Sequence, residues 1–509
     1  MSDNQSMYRL IEDRIARSGS NPAFVMPDGK SVSYTELGRL VAQMANALGA
    51  AGVAAGDRVT AQVEKSLPNA VLYLACLKAG AVFNPLNSGY TSAELDYFIG
   101  DAEPTLLVCQ RSALGLLAPI AERHKVKSTL LLEPDGSGSL SDLARSQGDR
   151  HATVPRAIDD LASLIYTSGT TGRSKGAMIT HGNLTSNTRA LCETWRITGD
   201  DVLLHALPIF HVHGLFVALN TTLTQGAKIL WQPKFDLETA LRLLPQSTMM
   251  MGVPTFYTRL LSSPAFGRET CRNMRLFVSG SAPLLAETHT EFKERTGHAI
   301  LERYGMTETG MITSNPYAPE GRLAGTVGHA LPGISVRVAE PDGKVLGTGE
   351  IGVIEVKGPN VFKGYWRNPE KTKAEFRSDG YFVTGDLGTM AQDGRVTIVG
   401  RAKDLIISGG LNVYPKEIED ELNALPGVAE AAVVGIPHPD FGEGVVAVLA
   451  QAPGMRIADE AEVLKHLEGR LAKFKCPKRI FVVDDLPRNA MGKVQKVELR
   501  NRYGHLFKA

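Results

Sequence analysis

Residues 161–179 read Leu-Ala-Ser-Leu-Ile-Tyr-Thr-Ser-Gly-Thr-Thr-Gly-Arg-Ser-Lys-Gly-Ala-Met-Ile. An apolar run, 161–167, leads into six consecutive Thr, Ser and Gly residues at 167–172, and Lys175 closes the turn. The run predicts a buried strand, and Lys-Gly-Ala-Met-Ile predicts a second one just beyond it. Glycines let backbone N–H groups approach a phosphate closely. Successive N–H groups and hydroxyls then form an anion nest, to which the lysine adds a point charge. A Walker A loop needs four residues between its glycines followed by Gly-Lys-Ser/Thr, whereas Gly169 and Gly172 are only three apart here. A flexible linker would need no strand on either side.

Outward from this loop, short β-branched runs alternate with helical segments. Residues 202–207, 227–232, 276–278 and 299–301 read as strands, and 237–244 and 287–296 as helices. That alternation predicts α/β layering with mainly parallel sheets. The texture changes near Val336. Runs at 335–338, 351–357, 381–388 and 395–399 are punctuated by Asp342-Gly343 and Asp393-Gly394 turns, which predicts a β-rich antiparallel subdomain over about 335–400. Beyond Gly400 a helix at 415–424, strands at 431–435 and 445–449, a helix at 461–471 and a strand at 479–483 predict a compact α+β unit. The joint falls at 400–404. The expected organisation is α/β: a large N-terminal domain of layered sheets (1–402) with its β-rich subdomain, and a small mobile α+β C-terminal domain (403–509).

A chain of 509 residues is too long for one core. With 43% hydrophobic and 21% charged residues it reads as globular. A formal charge of +1 gives no electrostatic reason to expect nucleic acid or an anionic membrane as partner, and no obligate protein partner is evident. The five cysteines, scattered singly, suggest neither a zinc site nor a disulfide framework. Residues 1–10 resemble no signal or transit peptide, so the expected location is cytoplasmic.

The loop is similar to the signature of the adenylate-forming superfamily, which holds acyl-CoA synthetases, luciferases and peptide-synthetase adenylation domains. The resemblance recurs, in the family's order, at Tyr304-Gly-Met-Thr-Glu308, Tyr381-Phe-Val-Thr-Gly-Asp386, Gly400-Arg-Ala-Lys-Asp404 and Pro487-Arg-Asn-Ala-Met-Gly-Lys493. It implies that a carboxylate attacks the α-phosphate of ATP, and that coenzyme A then takes the acyl group from the adenylate. It further implies a nucleotide site built from Thr167, Ser168, Gly169, Thr170, Thr171, Gly172, Lys175, Gly280, Ser281, Ala282, Glu302, Tyr304, Gly305, Met306, Thr307, Asp386, Arg401 and Lys493. Glu308, with the Thr170 hydroxyl nearby, is the expected magnesium ligand. Thr307 is placed at the α-phosphate and Asp386 at the ribose hydroxyls. Arg401 contacts ribose or phosphate, or forms a surface salt bridge. Read alone, Lys493 is an exposed lysine; the resemblance makes it the group that bridges carboxylate and α-phosphate. Lys403 matches a hinge, and Ser408, Gly409 and Gly410 a pantetheine tunnel.

The acid is read from Arg303. A guanidinium at an acyl pocket suits a second carboxylate, which it grips with parallel bonds, and it rejects monocarboxylates that would leave it unpaired. The other reading is that Arg303 pairs with Glu302 or another acid and never meets substrate. Resemblance to malonyl-CoA synthetases at Leu301–Thr309, with Ile209-Phe-His-Val-His-Gly214 and Ser279-Gly-Ser-Ala-Pro283, implies malonate as the acid, with methylmalonate as a second. Arg303 with Ser279 or Ser281 is then the grip. His211 lies beside the acyl and thiol tunnel, or is a packed wall residue. The alternatives are a ligase for oxalate or an aryl acid, a carrier-protein-loading enzyme, and a luciferase-like oxygenase. Lys175, Glu308, Asp386 and Lys493 are all present, which argues against a non-catalytic scaffold.

Overall fold

The computed structural model describes residues 4–167, 174–468, 470–489 and 492–507. Four sheets organise them. A six-stranded sheet runs Ser128–Leu131, Leu106–Cys109, Arg58–Gln62, Val82–Pro85, Leu161–Thr167 and Lys175–Thr180, parallel except for the last pair. A nine-stranded sheet has the parallel strands Leu301–Met306, Leu276–Ser279, Met249–Gly252, Val202–His205, Lys228–Trp231 and Pro22–Val25 at its centre. Antiparallel strands close both of its edges. The expected mainly parallel layering is therefore present.

The helix Leu67–Ala79 illustrates how the chain fixes one of these layers. Ser66 caps it by accepting the Asn69 N–H, Pro68 sits in its first turn where no N–H is needed, and Gly80 ends it in the left-handed conformation. Residues 69–78 are all buried, so the segment is a core helix and not a surface one.

The strands 335–338, 351–357, 381–388 and 395–399 appear as the antiparallel sheet Ser335–Ala339, Gly352–Lys357, Phe382–Met390 and Val396–Arg401. One expectation needs correcting: the strand placed at 299–301 starts at Leu301 and runs to Met306. Glu302 and Gly305 are poor strand formers, but pairing with Gly310–Ser314 overrides that preference.

After Val396–Arg401 and a short 3-10 turn at Ala402–Asp404, the chain enters a fourth sheet through Ile406–Ser408. Its central hairpin, Val428–His438 with Gly442–Gln451, is apolar on both faces because both faces are covered. Val433, Ala447 and Leu449 pack with residues of the helices Pro415–Asn423 and Glu460–Glu468. Val434, Val446 and Val448 pack with Leu499 and Tyr503 of the helix Lys496–Tyr503. Among the described residues no helix is long and apolar enough to cross a membrane.

Candidate active site

The carboxyl ends of the central parallel strands form the mouth where ligands of open α/β sheets bind. Gly252, Ser279 and Glu302 lie side by side there in register. Arg303 follows Glu302 on the same strand, and successive strand residues point to opposite faces, so the two do not pair. Glu302 turns to accept the Gly325 N–H at 3.1 Å, and burial pushes its carboxyl up to about 7.

Arg303 is 4% exposed, and its Nε and Nη2 have no hydrogen-bond partner. Among the described residues no carboxylate forms an ion pair with it. Burial pulls its ionisation down to about 9, so it stays charged at neutral pH. The guanidinium lies under Gly280, where a Cβ would come within 2.3 Å of its Cζ, so any side chain there would have to displace the guanidinium. The next residue, Ser281, holds φ +72°, a conformation that costs a non-glycine residue energy and that clusters at functional sites.

Three further groups close this wall. Ser279 Oγ is buried without a partner. His213 Nδ1 lies 3.2 Å from Ser281 Oγ, and its Nε2 is buried without a partner. His211 Nδ1 accepts the His213 N–H at 3.2 Å; burial, then the charges of Lys493 and Arg303, depress it to about 3, so it is neutral. Guanidinium, hydroxyl and imidazole donors thus converge with no carboxylate to answer them. Buried polar groups are normally paired, and this set lacks an anion. His213 was not singled out from the sequence; its only signal there was the His-Val-His spacing.

Where the sequence places the nucleotide, the Tyr304 hydroxyl donates to Asp386 Oδ2 at 2.5 Å, and Arg401 Nε lies 3.2 Å from Asp386 Oδ1. Asp386, by its charge, raises the ionisation of Arg401. The Arg401 salt bridge foreseen as an alternative therefore exists, but at the site. Glu308 is 6% exposed, and burial raises its carboxyl above the usual range. Its side-chain partner is the Tyr365 hydroxyl at 3.0 Å, which also lies 2.6 Å from Glu375. One phenolic proton cannot serve two carboxylates at once, so Tyr365 donates to only one of Glu308 and Glu375 at a time, and the Glu308 backbone N–H also supports its own carboxylate. Glu375 in turn faces Lys175 at 3.7 Å and Lys371 at 2.8 Å. Tyr365, Glu375 and Lys371 are further members that the sequence reading missed. Thr307 lies half-buried in the turn just before Glu308, Met306 packs against the core, and Ala282 is half-buried beyond Ser281.

Lys493 joins the two halves. Its N–H donates to Asn489 Oδ1 at 3.0 Å, and the Gly492 N–H bonds the Asn489 carbonyl at 2.9 Å, a tight turn that points the lysine inward. Burial, then the positive charge of Arg401, lowers its ammonium to about 8; Asp386, Arg303 and Glu308 are also close enough to act on it. Read in isolation it was a solvated surface lysine. It stands instead among both sets of site residues.

Ser408 is buried, and Gly409 and Gly410 form an exposed hairpin tip with φ +59° and +79°. Among the described residues no hydrogen bond or ion pair joins them to Arg303, Asp386 or Glu308. Lys403 lies in the 3-10 turn between the third and fourth sheets, and burial lowers its ionisation. Ser168, Gly169, Thr170, Thr171 and Gly172 lie outside the described residues; Thr167 ends one flanking strand and Lys175 begins the other. Among the described residues no cluster of three His, Cys, Asp or Glu could hold a metal by itself.

An α/β mouth that sets an inward lysine between buried acids and an anion-deficient wall defines a nucleotide-dependent acid-activating enzyme. The chain belongs to the AMP-binding enzyme family, whose pattern it matches over residues 11–366, with the AMP-binding enzyme C-terminal domain at 417–493. It is an AMP-forming acid–CoA ligase that uses ATP and CoA. A feruloyl-CoA synthase from Amycolatopsis is 39% identical over 96% of this chain and 98% of its own length. A malonate–CoA ligase from Arabidopsis thaliana is 38% identical over 83% of this chain and 74% of its own length. The ATP-bound structure of MatB from Rhodopseudomonas palustris is 56% identical, covers 99% of this chain and 100% of its own, and superposes with a TM-score of 0.97; its apo structure gives 0.85.

Proposed function

We propose that this enzyme ligates malonate to CoA, forming malonyl-CoA, AMP and pyrophosphate through a malonyl-adenylate. The observation that carries the reading is the buried, charged Arg303 with two unpaired nitrogens and no carboxylate of its own. A site so built is completed by a ligand that brings the missing anion, and malonate carries a second carboxylate to fill that role. Ser279, Ser281, His213 and His211 complete the grip. With the distal carboxylate held, the proximal one faces the nucleotide.

In the first half-reaction a proximal oxygen attacks the α-phosphorus and pyrophosphate leaves. Lys493 neutralises charge shared between the acid and the α-phosphate as that bond forms. Asp386 accepts from the ribose hydroxyls; Tyr304 and Arg401 use only part of its acceptor capacity. The loop residues Ser168–Gly172 and Lys175 hold the phosphates, and Thr307 the α-phosphate. Glu308, a buried carboxylate, would hold a magnesium ion, with the Thr170 hydroxyl as the second donor that the family resemblance implies. Bound there, the ion supplies charge neutralisation at the phosphates. Activity is expected to vanish in excess chelator and to return on adding Mg2+; activity that survives chelation would remove this role.

In the second half-reaction the thiolate of CoA attacks the acyl carbonyl and AMP leaves. Before that attack, once the adenylate has formed, residues 403–509 turn about Lys403, withdraw Lys493 and bring Ser408, Gly409 and Gly410 to the pantetheine path. The closer likeness to the ATP-bound than to the apo form of MatB supports reading the present arrangement as the adenylating one.

An aryl acid is the second reading, favoured by the feruloyl-CoA synthase likeness. A flat apolar acid would leave Arg303 unpaired and buried, a cost that the diacid avoids. The deciding test is a panel of mono- and dicarboxylic acids scored by pyrophosphate release with CoA present. Malonate should give the highest kcat/KM, with methylmalonate used less well. Preference for ferulate or benzoate would end the malonate reading.

A further inference from the structure

Behind the histidine wall lies a second buried cation to which the proposed reaction assigns no role. Lys65 follows the strand Arg58–Gln62 and is 8% exposed. Its Nζ lies 2.9 Å from His205 Nδ1, 2.9 Å from the His205 carbonyl and 2.6 Å from the Gln232 carbonyl. Burial holds its ionisation well below the usual lysine value, but three acceptors match the three N–H donors of the charged ammonium form. The Trp231 ring lies beneath it, with its centroid 4.3 Å away. Among the described residues no carboxylate pairs with it. A buried cation without a counter-ion is costly, and a packed apolar side chain would serve stability better.

What Lys65 holds is the ring of His205, the last residue of the strand Val202–His205. His205 Nε2 lies 2.9 Å from the Gly214 carbonyl. A carbonyl only accepts, so Nε2 carries the proton, and in a neutral ring Nδ1 is then the lone pair that Lys65 fills. Gly214 belongs to a π-helical stretch, His213–Leu219, a rare geometry frequent at functional sites. A Cβ on Gly214 would meet the Pro208 carbonyl at 2.1 Å. The same turn is tied by the Leu215 N–H to the His211 carbonyl at 3.0 Å and by the His213 N–H to His211 Nδ1. The Gly214 carbonyl is where this turn is anchored to the sheet behind it.

We propose that Lys65 and His205 are positioning residues for acid binding: a relay from Lys65 Nζ through the His205 ring to the Gly214 carbonyl fixes one imidazole tautomer and holds the His211–His213 turn against Arg303. This rests on reading that wall as the acid-binding surface, but not on which acid it takes.

Lys65→Met, His205→Phe and His205→Gln separate the possibilities. KM for the acid, KM for ATP and kcat are measured for each, using whichever acid the substrate panel selects. Lys65→Met and His205→Phe should raise the acid KM by roughly tenfold or more, with the ATP KM within about twofold. His205→Gln, whose amide N–H can still reach toward Gly214, should recover most of that loss. An unchanged acid KM in folded Lys65→Met overturns the proposal. So do a parallel rise of both KM values, a Gln variant no better than Phe, and a failure of all three variants to fold, which would mark the contact as purely structural. An aryl acid emerging from the panel would end the malonate reading and leave this test intact.

Discussion

Lys493→Ala is expected to slow adenylate formation by about 10²–10³-fold, the loss seen when one group stabilising charge only in a transition state is removed, or about 3–4 kcal/mol. The same variant, given malonyl-adenylate and CoA, should form the thioester within about twofold of the parent, because the proposed mechanism has Lys493 act on the acid–phosphate bond and not on thiol attack. The two half-reactions are separately measurable, by pyrophosphate release and by AMP release from supplied adenylate. Equal damage to both would take Lys493 out of its assigned role. Titration gives an independent check. In the free enzyme, burial and the Arg401 charge bring the ammonium to about 8. The active form is the charged one, so it is full below that value and is lost as pH rises through it. The adenylation kcat/KM, which reports the free enzyme, should fall above about pH 8, while thioester formation from supplied adenylate should lack that limb. Bound nucleotide adds negative charge beside the ammonium and should move the corresponding limb of kcat to higher pH.

Much of this architecture is written in contiguous stretches. The strand-loop-strand at 161–179 is legible because its signal is local: apolar run, small residues, lysine, apolar run. The hairpins of the third sheet are announced by Asp-Gly turns, and the doubly apolar strands 431–435 and 445–449 by their burial on both faces. The substrate wall is not local. Ser281 lies 68 residues from the His213 it bonds, and although each neighbourhood carries a recognisable motif, nothing in the sequence shows that the two meet. Adjacency also misleads. Glu302 stands next to Arg303 in the chain and looks like its natural partner, yet the strand pleat sends the two to opposite faces. Lys65 is a still plainer case: nothing in Val-Glu-Lys-Ser singles it out, and only the packed sheet shows its three acceptors.

That failure of adjacency makes Arg303→Met the most informative substitution at the acid site, because its effects on activity and stability should have opposite signs. Without the guanidinium, the distal carboxylate of malonate would be buried against Ser279, His211 and His213 with no countercharge. Breaking one partner of a buried, hydrogen-bonded charge pair costs about 2–5 kcal/mol, so the malonate KM should rise by about 30-fold or more. The ATP KM should change little, since Asp386, Tyr304 and Arg401 are untouched. In the ligand-free enzyme the balance reverses. Arg303 is then a buried charge with unpaired Nε and Nη2, and an apolar side chain of similar length avoids that penalty. Replacing buried charges by packed apolar groups is often neutral or stabilising by about 1–4 kcal/mol, so the apo variant should unfold at the same or a higher temperature than the parent. Malonate added with a non-hydrolysable ATP analogue should raise the parent's unfolding temperature and leave the variant near its value with analogue alone. A variant that is less stable without ligand would mean that Arg303 serves the fold. A variant that keeps parental malonate kinetics would mean that the anion this wall lacks is not the substrate's second carboxylate.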